Sequence, residues 1–159
     1  MKSDDYFTQL GLYYGTAELH ELLKYLNISK PPKIPNHDTE TILSSKTGGV
    51  DLTFTDEAYL DFRTKPYPDG AMVLSSINFH GTKTREHAIF SSALPKGLKF
   101  SMCSMEVQVL LGPAQDVDDD GKMFRWDFGD HCMFIDFDSA DRINTVGIQL
   151  QNRYTKALP

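Results

Sequence analysis

Three β-rich runs near the C-terminus, Met123 to Trp126, His131 to Phe137 and Ile143 to Leu150, are separated only by the short turn signals Phe128-Gly129-Asp130 and Asp138-Ser139-Ala140-Asp141. Connections that short join neighbouring strands antiparallel, because a parallel neighbour needs a crossover of about a dozen residues or more. In the last run Val146, Ile148 and Leu150 point one way and Thr145, Gly147 and Gln149 the other, so the meander has one covered face. Something must cover it. Upstream, Cys103 to Leu111 places Val107, Leu110 and Leu111 on one helical stripe, and Gly112-Pro113 ends that helix.

The first half has the same plan. Leu19, Leu22, Leu23 and Leu26 follow helical spacing within residues 16 to 28, with Thr16 as the N-cap, and Pro31, Pro32 and Pro35 prevent continuation. Val50 to Phe54 alternates as a half-buried strand, Tyr59 to Arg63 reads as a second, and Pro66 to Gly70 turns into a longer strand from Ala71 to Phe79. Its Met72-Val73-Leu74 centre reads as covered on both faces. The pattern predicts an α+β fold of two tandem helix-plus-antiparallel-sheet halves, residues 6–90 and 91–159, in a single domain over 1–159. A chain of 159 residues is close to the ~150 of one ordinary domain.

Charge narrows the possible partners. Residues 116 to 141 hold nine acids against Lys122 and Arg125, a net of −7, whereas the rest of the chain is nearly neutral at +1. Such a field repels nucleic acid and anionic lipid and attracts cations or a basic protein, although a solubilising face would look the same. No apolar run approaches the ~20 residues of a membrane helix. The first residues carry acids where a secretory signal would have its apolar region, so a cytoplasmic location is expected. Cys103 and Cys132 have no CxxC spacing and read as small buried hydrophobes.

Asp116-Val117-Asp118-Asp119-Asp120-Gly121, with Asp127 eleven positions after Asp116, matches the first six positions of a calcium loop. Its last ligand would be the short Asp127 rather than Glu, and a strand replaces the outgoing helix. A solvated or partner-facing acidic turn is therefore the expected reading, and no cofactor is expected, with calcium through Asp116, Asp118, Asp120 and Asp127 as the alternative. No nucleophile elbow, phosphate loop or dinucleotide fingerprint is present, which leaves catalysis to histidines such as His80, His87 and His131 meeting carboxylates in space. His80 and His87 bracket a connection with Lys83 and Arg85 that reads as a charged hairpin tip, and His20 reads as a surface residue. The expectation is a non-enzyme. Trp126 is either a core indole with Arg125 and Asp127 on the opposite face, the favoured reading, or an exposed interface anchor.

Phe100-Ser-Met-Cys-Ser-Met-Glu-Val-Gln-Val-Leu-Leu-Gly-Pro113, Phe124-Arg-Trp126 and the strand-and-turn pattern to Val146 resemble the repeat of the β-lactamase-inhibitor-protein-like superfamily, also found in SmpA/OmlA-type lipoproteins. The resemblance covers residues 95 to 150, with the first half as a diverged copy. Cys103 stands where the family has a Ser or Thr cap, so the capping box with Glu106 is expected to be incomplete or displaced onto Ser101. Leu94-Pro-Lys-Gly-Leu-Lys-Phe100 and Arg125-Trp-Asp127 are similar to segments of bacterial immunity proteins. The resemblance implies a non-catalytic inhibitor that occludes a cognate toxin with a basic surface. Asp116, Asp118, Asp119, Asp120, Arg125, Trp126, Asp127 and Asp130 are its expected partner-binding residues. A calcium-responsive module and an uncharacterised enzyme are the alternatives.

Overall fold

The computed structural model describes residues 4–63, 65–153 and 155. A short helix α1 (Asp5–Gln9) precedes α2 (Ala17–Tyr25), the segment whose leucine spacing predicts a helix. Leu19, Leu22, Leu23 and Leu26 are all buried, as that stripe requires. Thr16 holds the N-cap position, but its hydroxyl donates to the Tyr13 carbonyl at 3.0 Å instead of accepting from the helix amides. Three strands follow: β1 (Glu40–Ser45), β2 (Val50–Asp56) and β3 (Met72–His80). Helix α3 (Ser104–Leu111) then leads into β4 (Asp116–Val117), β5 (Met123–Phe128), β6 (His131–Phe137) and β7 (Ile143–Leu150).

The strands form one antiparallel seven-stranded sheet in the order β1-β2-β3-β7-β6-β5-β4. A three-stranded meander and a four-stranded meander thus meet at their last strands, with Ser76 opposite Gln149 and His80 opposite Thr145. The first part of β3 is paired differently: Gly11 to Tyr14 bonds to Met72 and Leu74 through Gly11 N to Leu74 O, Leu74 N to Leu12 O and Tyr14 N to Met72 O, at 2.8–2.9 Å. Val73 and Leu74 are fully buried, on opposite faces of a strand that is covered on both sides at this point.

All three helices cover the same face. Tyr6 of α1, the leucines of α2 and Val107 of α3 join Leu52, Phe54, Ile77, Phe79, Met133, Ile135, Val146 and Ile148 in one continuous apolar core. Ser75 bulges out of register between the pairs Thr53–Ser76 and Phe54–Leu74, which keeps Leu74, Ile77 and Phe79 all turned inward despite their odd spacing. The opposite face carries the polar half of the alternation.

Two local expectations are corrected. Tyr59 to Arg63 is not a strand: the Asp56 carboxylate accepts the Ala58 amide at 2.9 Å and starts a single 3₁₀ turn over Glu57–Tyr59. The buried Glu57 then takes Arg63 at 2.5 Å, fixing the segment as a folded loop. At α3 the capping box is neither incomplete nor displaced onto Ser101: the Cys103 side chain accepts the Glu106 amide in the place of the Ser or Thr oxygen. Glu106 accepts the Cys103 amide at 3.4 Å, and Asp141, from the β6–β7 turn, accepts both the Ser104 amide (3.4 Å) and the Ser104 hydroxyl (3.1 Å). Gly112, with φ of 87°, ends the helix in a conformation that favours glycine.

Candidate functional site

The acidic segment is a hairpin. Asp118 Oδ1 accepts the amides of Lys122 and Met123 at 2.9 and 3.0 Å, and these bonds, the Met123 one foremost, hold its carboxyl below the usual carboxylate range. Asp118 is therefore spent on closing the β4–β5 turn. Asp119 and Asp120 project into solvent at its tip. Among the described residues no three His, Cys, Asp or Glu side chains converge to hold a metal ion, so Asp116, Asp118, Asp120 and Asp127 do not assemble as calcium-loop ligands.

Two further members of the expected surface are organised by Arg125. Its Nη1 lies 3.8 Å from Asp116 Oδ2 across the strand pair, and its Nε lies 3.2 Å from Asp127 Oδ1. Asp127 also accepts from Gln151 Nε2 at 3.3 Å, while its amide donates to Gln115 Oε1 at 2.8 Å. These groups form a half-buried network on the polar face of the sheet, rather than an unpaired acidic patch. Asp130 lies in the β5–β6 turn, at the other end of β5, about 20 Å away at the rise of a strand. It bonds His131 Nδ1 at 2.9 Å, beside Lys96, whose ammonium lies 4.8 Å from the Phe128 ring centre. The expected acidic surface is thus divided, with Asp119 and Asp120 the exposed acids at the hairpin tip and Asp116 and Asp118 engaged beside them.

Trp126 is corrected outright as a partner-binding residue. Its indole is 1% exposed, stacks near Phe124 and donates Nε1–H to the Gly112 carbonyl at 2.9 Å. The core reading wins because a buried Trp removes a large apolar area from water while its one donor is satisfied. It ties the end of α3 to β5.

Exposed apolar side chains are found on α3 instead. Val107 is buried, but Met105, Val109 and Leu110 are 73%, 83% and 47% exposed, and Val117 on the edge strand is 42% exposed. Leu110, placed by the sequence pattern on the buried stripe, faces outward. Val117 pairs with the inward-facing Phe124 and so lies on the helix-covered side of the sheet. An apolar helix face is therefore followed within a few residues by the acids of the hairpin. The clue was present in the sequence: five apolar residues among the eight of α3 exceed what one buried stripe can use.

Of the three histidines considered for catalysis, two meet. His80 Nε2 lies 2.8 Å from Asp51 Oδ2, and the His80 and His87 rings stack at 3.6 Å between centroids. A carboxylate-oriented imidazole can hold or move a proton, yet among the described residues no hydroxyl or thiol is bonded to either ring. His131 stands apart, against Phe7 and Phe128. Cys132 is buried as expected, though on the polar face near Thr155, and burial pushes its thiol up to about 11. Cys103 is half-buried at the start of α3.

The polar face also holds a groove that no sequence motif announced. It has a volume of about 460 Å³ and lies between the outward side chains of β2, β3 and β7 and the loop that follows β2. No helix among the described residues is long and apolar enough to cross a membrane. No protein-family model matches the chain, and neither does any curated protein or solved structure.

Proposed function

We propose that the chain is a non-catalytic protein-binding protein, an immunity protein of a bacterial toxin system, that acts in the cytoplasm and neutralises its cognate toxin by occluding it. The reading treats the two meanders as tandem halves of a β-lactamase-inhibitor-protein-like repeat. One observation carries it: Met105, Val109 and Leu110 of α3 and Val117 leave an apolar surface unpartnered beside the exposed acids Asp116, Asp118, Asp119 and Asp120. Apolar side chains at a centre with charge at the rim is the composition of a protein interface. The complementary partner presents apolar anchors ringed by Lys and Arg, the surface expected of a toxin that acts on nucleic acid. The acidic rim would raise the association rate, and the apolar centre would hold the complex.

Affinity capture of the tagged protein from its own cell lysate, at low and high salt, tests this. A single stoichiometric basic protein is expected, with capture lost for Val109→Asp and weakened for Asp119→Lys with Asp120→Lys, which leave the turn bonds of Asp118 in place. A partner retained at full affinity by all three substitutions removes this surface from the interface.

A further inference from the structure

The groove on the polar face is independent of the α3 surface and is built differently. Thr53, Ser76 and Gln149 stand side by side on β2, β3 and β7, as the registers Thr53–Ser76 and Ser76–Gln149 require. Their side chains are half-buried and line the groove as a row of groups that can each donate and accept. Neighbouring hydroxyls are already engaged: Thr55 Oγ1 and Ser75 Oγ are 2.8 Å apart, and Ser75 Oγ also donates to the Thr53 carbonyl at 3.2 Å. The row itself is left facing the cavity.

One wall is the loop that begins at the 3₁₀ turn, and it contributes Tyr59, whose ring is 61% exposed. This wall is preformed. Glu57 anchors it through Arg63, and Asp61 anchors it to the segment after β7 by taking Arg153 Nε and Nη2 at 3.0 and 2.8 Å and the Arg153 amide at 3.1 Å. The groove is closed at that side by contacts between residues distant in sequence, so its shape exists before any ligand arrives. Preorganisation of this kind lowers the cost of binding.

The charge of the lining selects among ligands. Glu40 and Asp61 are the carboxylates of the lining, Asp61 already paired with Arg153, and no Lys or Arg is among the lining residues, so a phosphate or carboxylate ligand finds no cationic partner there. A hydroxyl and amide floor gives an apolar ligand nothing in exchange for desolvating it. A neutral polyhydroxylated molecule satisfies both conditions: its hydroxyls pair with Thr53, Ser76 and Gln149, and its apolar ring face packs on Tyr59. The volume lies within the ~300–1,000 Å³ of small-molecule sites. We infer that this groove binds a neutral saccharide, across the row Thr53–Ser76–Gln149 and against Tyr59.

The test is titration of the isotopically labelled full chain with maltose, cellobiose and N-acetylglucosamine, each followed by amide chemical shifts, with glucose 6-phosphate as the charged comparison. At least one neutral sugar is expected to give saturable shifts confined to residues around Thr53, Ser76 and Gln149, and glucose 6-phosphate to bind more weakly. Thr53→Val with Ser76→Ala, which remove the hydroxyls without adding bulk, should weaken binding roughly tenfold or more. Should that variant fail to fold, Gln149→Leu and Tyr59→Ala serve the same purpose from positions nearer solvent. Absence of saturable shifts with every neutral sugar, shifts that survive the substitutions, or tighter binding of glucose 6-phosphate each overturns the inference. Loss of saccharide binding would leave toxin capture through α3 untouched, so the two readings fail separately.

Discussion

Helices α2 and α3 are of nearly equal length and lie against the same sheet, yet they use apolar residues in opposite ways. In α2 the leucines are gathered on one stripe, and all of them are buried. In α3 only Val107 is fully buried, while Met105, Val109 and Leu110 are turned to solvent. The first pattern is what folding alone asks of a helix. The second exceeds that need and leaves surplus apolar surface beside a charged hairpin, the observation on which the proposed function rests.

Substitution sharpens this contrast, and the largest effect belongs to α2. Leu22→Ala removes a fully buried side chain and should cost about 2–5 kcal/mol in chemical denaturation, since the cavity adds to the lost transfer energy. A smaller loss, of roughly 0.5–1.5 kcal/mol, is expected for Asp141→Ala, which strips the start of α3 of an acceptor for Ser104. Val109→Ser should change stability by no more than about 0.5 kcal/mol, because the side chain is already exposed, while it weakens partner capture. A cost at Val109 comparable with that at Leu22 would erase the distinction between the two helices.

A last and smaller test uses acid. The Cys103 side chain first, and then the Cys103 amide bonded to Glu106, hold that carboxyl below its usual range. Its contribution to α3 is therefore complete above the ordinary carboxylate range and is lost as pH falls through the lowered folded value. The melting-temperature gap between the native protein and Glu106→Gln should close on acidification, and a gap independent of pH would show that the charge of Glu106 is irrelevant.

The strands of the second half were legible because alternation and turn chemistry agree residue by residue: β6 and β7 occupy the runs His131 to Phe137 and Ile143 to Leu150. Strand β1 was not legible, because only Thr41, Leu43 and Ser45 of Glu40–Ser45 face inward, and two of these are polar. The aromatic content of Tyr59 to Arg63 suggested a strand, but the carboxylates of Asp56 and Glu57 turn the backbone before a ladder can start. The exposed acids of the hairpin were readable from composition. Their separation from Asp130 depends on the direction of β5. The groove had no sequence signal at all, since Thr53, Ser76 and Gln149 are neighbours only through the registers of three strands.

The pairing of β3 with β7 also sets an order of events during synthesis. Gly11 to Tyr14 can protect the first part of β3 early, but the edge from Ser76 to His80 finds its partner only when Thr145 to Gln149 has been made. A nascent chain that ends before Ile143 therefore presents an open strand edge, the kind of edge that recruits other chains. Closure across so long a loop is slow compared with local hairpin formation. The β3–β7 pairing is thus what joins the two parts of the sheet, and refolding of the full chain should be limited by that pairing rather than by formation of any of the three helices.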